Sequence, residues 1–149
     1  YNSAYTRFML KILCSLATVL MLAACVSPPK YSAADIDLPH CGGLPNCVNS
    51  DAGKGSQAID PLRATSSQWQ GLKDWIGEQK DWSVVEDQVN FLQFTAVTPM
   101  MRFRDDIQLL FKPEIELIQV RSSSRIGISD MGANRARIER LRQQLPESR

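Results

Sequence analysis

The sequence predicts an α+β fold: a small antiparallel sheet of about four strands, flanked by an N-terminal and a C-terminal helix. Three observations predict it. Residues 65–80 carry one apolar stripe at helical spacing. Residues 82–122 contain runs rich in β-branched and aromatic residues, one of them alternating apolar and polar side chains. Residues 132–145 return to helical spacing. Strands joined by short connections pair antiparallel. With 149 residues, 44% apolar and 22% charged, the chain has the composition of one globular domain.

The first helix starts at Thr65. Thr65-Ser66-Ser67-Gln68 is a capping box, and Trp69, Leu72 and Ile76 follow at i, i+3 and i+7 with Trp75 beside them. Gly71 and Gly77 weaken this helix, which should end near Lys80. Trp82–Glu86 reads as a short strand and Val89–Thr98 as a longer one. Ile107, Leu109 and Phe111 alternate with Asp106, Gln108 and Lys112, the pattern of a strand with one wet face. Lys112-Pro113-Glu114 is a turn, and Ile115–Ser122 returns as the next strand. The last helix spans about Gly132 to Leu145, capped by Ser129 or Asp130. On a helical wheel Met131, Asn134, Ile138, Leu141 and Leu145 share the buried face. Arg137, Glu139, Arg140, Gln143 and Gln144 share the solvated one, with Arg135 and Arg142 flanking the stripe. Residues 48–64 read as irregular loop.

Ahead of the domain, the stretch from Met9 reads "MLKILCSLATVLMLAAC". Lys11 followed by a thirteen-residue apolar run, Ile12 to Ala24, has the form of a signal peptide and is too short for a comfortable membrane span. Met9 is read as the start, and residues 1–8 as upstream sequence. Leu22-Ala23-Ala24-Cys25 resembles the lipobox of bacterial lipoproteins, which implies cleavage before Cys25 and acylation of its sulfur and amine. Two or three acyl chains make a stable anchor. Val26 follows, not the aspartate that favours inner-membrane retention, so the expected location is the outer membrane, facing the periplasm. The resulting organisation is a signal segment over 1–24, a lipidated tether over 25–39, one domain over 40–145 and a tail over 146–149. Cleavage removes Arg7 and Lys11, leaving fifteen basic against sixteen acidic residues, net −1. In that compartment a nucleic-acid partner is not expected. The partners expected are the membrane, through Cys25, and an envelope protein or an anionic ligand.

Two cysteines remain in the domain, Cys41 and Cys47, in "HCGGLPNCVNS". An oxidising compartment favours a disulfide between them, contributing about 2 kcal/mol for so short a loop. A metal site with His40, the only histidine, and a redox pair are the alternatives. No fourth metal ligand is spaced to join, and C-x5-C is neither a usual zinc spacing nor the C-x-x-C of an oxidoreductase. No metal or cofactor is expected.

The stretch "RSSSRIGISDMGANR", 121–135, concentrates the polar residues. Asn134 on a buried helix face needs partners, since an orphaned amide costs about 1–3 kcal/mol. Arg121, Ser123 and Arg125 at the strand end, with Asp105, Asp106, Asp130 and Arg135, supply a candidate cluster of arginine forks and carboxylates. It is either a structural network or an anion site, with Arg125 and the amides near Gly127 and Gly132 as donors. Catalytic motifs of the G-x-S-x-G, H-E-x-x-H or phosphate-loop type are missing, so no catalytic residue is assigned. A periplasmic hydrolase-type enzyme using the Arg/Ser/Asp cluster is the alternative to a non-enzymatic binding protein.

"PNCVNS" at 45–50, "FRDDIQLLF" at 103–111 and "VRSSSRIGISDMGANRARIERLR" at 120–142 resemble the family of domains of unknown function numbered 1499. The resemblance covers about residues 40–145 and is most specific at the last motif. Ser123 stands where the family pattern has alanine. The resemblance implies a cell-envelope location, often as a lipoprotein, and brings no activity with it.

Overall fold

The computed structural model describes residues 37–98 and 102–145. The signal segment, Cys25 and most of the predicted tether therefore lie outside the described residues, as does the tail. The tether's last residues are packed: Leu38 is buried, and the Pro39 carbonyl accepts a hydrogen bond from Asn49 Nδ2 at 2.8 Å.

The described residues are indeed α+β, but the sheet has six strands where about four are expected. Strands β3 (Trp82–Asp87), β4 (Phe91–Val97), β5 (Arg104–Lys112) and β6 (Leu117–Ser124) form an antiparallel meander in chain order. Two further strands, β1 (Cys47–Asn49) and β2 (Leu62–Arg63), share the outer edge of β6, opposite residues 121–123 and 117–118. Three and two residues are too few to show a period. They therefore hide in a stretch that reads as loop, and only their pairing to β6 defines them.

Helix α1 spans Ser66–Gly77 and helix α2 spans Ala133–Arg142. The capping box forms: Thr65 Oγ1 accepts from the Gln68 amide at 3.3 Å, and Gln68 Oε1 accepts from the Thr65 amide at 2.8 Å. Trp69, Leu72 and Ile76 of α1, with Ile138 and Leu141 of α2, join one core with Leu92, Phe94, Ile107, Leu109, Phe111, Ile118 and Val120 of the sheet. Trp69 stacks on Phe111 at 5.6 Å. Burial of each such side chain is worth about 1.5–3 kcal/mol. Met131 departs from the wheel. It precedes the helix in a left-handed turn, φ +51°, and is 99% exposed.

The period-two rule decides which face each polar strand residue occupies. Asp105 shares the helix-covered face with Ile107, Leu109 and Phe111, while Asp106 and Gln108 face the other way; that second face is not the wet one expected, since Asp106 and Gln108 are buried there too. Register carries this across the sheet. Ala96, Asp105 and Ser124 lie abreast on one face, and Thr95, Asp106 and Ser123 on the other.

Candidate functional site

The sequence-predicted polar cluster is two clusters, separated by the sheet. On the helix-covered face Asp105 Oδ2 accepts from Arg137 Nη2 at 2.5 Å, with side chains 1% and 9% exposed. Arg137 Nη1 also donates to Ser122 Oγ at 3.1 Å and Asn134 Oδ1 at 2.9 Å. Ser122 donates to Asn134 Oδ1 at 2.6 Å, and Asn134 Nδ2 donates to the Asn46 carbonyl and to Ser124 Oγ. Asn134 thus ties α2 to the ends of β1 and β6. Arg137 is not on a solvated face, as the wheel would have it. Its turn of α2 lies over strand ends that carry Asp105 and Ser122 instead of apolar side chains.

On the opposite face Arg125 grips Asp106 in two-pronged fashion, Nε to Oδ2 at 2.9 Å and Nη2 to Oδ1 at 2.7 Å, and Nη2 also reaches Thr95 Oγ1 at 3.0 Å. Arg121 Nη1 donates to Gln108 Oε1 at 3.1 Å. Ser123 lies opposite Asp106 in register, but no hydrogen bond to its hydroxyl forms among the described residues.

The remaining cluster candidates do other work. The N-cap of α2 is Gly132 and not Ser129 or Asp130, but Asp130, two residues ahead, accepts from the Gly132 and Asn134 amides at 3.1 and 2.8 Å. Arg135 donates to the carbonyls of Ser56 and Ala58, and Arg142 to those of Asp60 and Pro61, so the outer arginines of α2 fasten the loop before β2. Cys41 and Cys47 form a disulfide with Cα atoms 5.7 Å apart, so these sulfurs are not thiolates available to a metal. Among the described residues no group of three or more His, Cys, Asp and Glu is placed to hold a metal ion.

What sequence reasoning missed is a cleft of about 640 Å³ between the loop after α1 and the first turns of α2. Glu78, Gln79, Lys80, Asp81 and Trp82 line one part of it, Ala96 to Thr98 another, and Ala133, Ala136, Arg137 and Arg140 a third. Arg140 is exposed here. Its guanidinium lies 5.2 Å from the ring centres of both Trp75 and Trp82, and its Nη2 donates to Gln79 Oε1 at 2.7 Å. Trp82 in turn stacks on buried Phe94 at 5.0 Å. Arg140 has no carboxylate within ion-pair distance among the described residues, unlike Arg125, Arg137 and Arg142. The signal that could have found it is the pair Trp75 and Trp82, two large aromatics that flank a helix end.

A sheet with both helices on one face and a disulfide at its edge defines a small α+β domain with a polar cleft at one end. The chain belongs to the family described as protein of unknown function (DUF1499), whose profile matches residues 37–145. No curated protein and no solved structure shows significant similarity to it.

Proposed function

We propose that the chain is a membrane-tethered envelope protein whose domain holds a small anionic molecule in the cleft at Arg140, and does so without transforming it. The observation that carries this reading is the state of Arg140. A guanidinium has five donors in a rigid fork. Here two indole faces and Gln79 hold it in place, and most of its donors remain for a ligand. A cation fixed before binding loses little entropy on meeting an anion. Glu78 and Asp81 line the same cleft, which favours a ligand that carries hydrogen-bond donors, such as hydroxyls, beside its anionic group. Arg125, the donor first expected at an anion site, is engaged by Asp106 and Thr95. The tethering part of the reading rests on the lipobox at Cys25, with an outer-membrane location, and the disulfide accords with an oxidising compartment.

Thermal melts with inorganic phosphate, glycerol phosphate and succinate test the cleft. A ligand at about one hundred times its Kd stabilises the folded state by about 2.7 kcal/mol. At least one of the three should raise the melting temperature of the parent. Arg140→Ala should abolish that rise, and Arg140→Lys, which keeps the charge and loses the fork, should retain part of it. No shift in the parent, or an equal shift in Arg140→Ala, would refute the assignment.

A further inference from the structure

At the end of β6 the chain makes a tip of exposed apolar side chains: Ile126 at 48%, Ile128 at 74% and Met131 at 99% exposure. Leu44, 47% exposed, belongs to the same end of the molecule, because Asn46 Nδ2 donates to the Gly127 carbonyl at 2.7 Å. The one carboxylate in this loop, Asp130, is engaged by two amides of the α2 cap. Four exposed apolar side chains gathered at one end of the molecule mark an interaction surface.

We propose that this tip seats in a lipid surface, the one to which Cys25 fastens the chain. The inference rests on the lipoprotein reading. Two observations choose lipid over other occupants. Leu38 follows Cys25 by thirteen residue steps, which at full extension keeps the domain within about 45 Å of its anchor. The chain also joins the domain on the tip's side of the sheet. Pro39 binds Asn49, and the disulfide ties Cys41 to Cys47, the neighbour of Asn46. A short tether entering beside the tip keeps the tip within reach of the bilayer.

The test is flotation of the chain from Val26 onward, which keeps every described residue, with vesicles of phosphatidylethanolamine and phosphatidylglycerol in excess. The parent should float, and the triple variant Ile126→Ser, Ile128→Ser, Met131→Ser should lose at least about tenfold in partition. The three side chains are exposed, so the variant's melt should match the parent's. Flotation lost with an unchanged melt supports the proposal whatever the state of Cys25, which alkyne fatty-acid labelling of the full chain and of Cys25→Ser reports separately. Equal flotation of parent and variant overturns it. Flotation of neither also overturns it.

Discussion

Asp105 and Asp106 are neighbours on β5, yet they serve opposite sides of the sheet. Asp105 meets Arg137, a residue of α2, and through it Ser122 and Asn134. Asp106 meets Arg125, just past the end of β6, and with it Thr95 of β4. The first pair joins a helix to the sheet; the second joins strands that backbone hydrogen bonds already hold. Each aspartate is more than nine-tenths buried and each has an arginine partner, as buried charge requires. The difference lies in what else would hold the element if the pair were lost.

The largest effect is expected on the helix side. Asp105→Ala leaves Arg137 buried without a counter-charge, a loss of about 3–5 kcal/mol. Asp105 Oδ1 is buried and accepts no hydrogen bond among the described residues, so the compensation of this carboxylate rests on Arg137. Denaturant unfolding measures the loss, and hydrogen exchange should quicken through 133–142. A loss under about 1 kcal/mol, or exchange unchanged in α2, would show that the helix is held by Ile138 and Leu141 alone. Restoring neutrality with Arg137→Met beside Asp105→Ala should recover part of the stability, because two apolar groups replace a broken pair.

A middle effect is expected on the other face. Arg125→Lys keeps the charge but cannot grip both oxygens of Asp106 and reach Thr95. The expected cost is about 1.5–3 kcal/mol, the range for a charge-assisted hydrogen bond, with exchange quickened near Ser124 and not in α2. A lysine variant as stable as the parent would make the two-pronged geometry irrelevant and would return Arg125 to the list of candidate ligand donors. Exchange quickened equally in α2 would mean that the two faces are coupled through β5.

How much of this could be read beforehand depends on the range of the signal. The capping box at Thr65 is local, four consecutive residues, and the structure forms it as written. The alternation on β5 is local too, and it held the answer to the two aspartates. Asp105 falls on the same parity as Ile107, so a carboxylate on the core side was bound to need a cation there. The partner could not be read, because a helical wheel ranks a face only against its own apolar stripe. Arg137 looks solvated on the wheel. It is buried because the sheet beneath it presents Asp105 and Ser122. Strands β1 and β2 exist only as partners of β6, and the cleft at Arg140 exists only because Trp75 and Trp82, from different elements, meet edge to face at 5.5 Å. Each of these depends on contacts between segments far apart in sequence.

The finest test of the two-faced arrangement uses two adjacent serines of the opening motif. Ser122 lies on the helix side, fully buried; its hydroxyl donates to Asn134 and accepts from Arg137. Ser123 points the other way, opposite Asp106, with no hydrogen bond to its hydroxyl among the described residues. Ser122→Ala removes one acceptor from Arg137 and one donor from Asn134 Oδ1, so about 1–3 kcal/mol should be lost. Ser123→Ala removes no such partner and should change stability by less than about 0.5 kcal/mol. The two substitutions are matched in chemistry and adjacent on one strand, so intrinsic strand propensity largely cancels between them. A reversed order, Ser123→Ala the costlier, would mean that the far face relies on a contact of Ser123 beyond the described residues. It would then be the Asp106 side, and not the Asp105 side, that needs each of its hydroxyls.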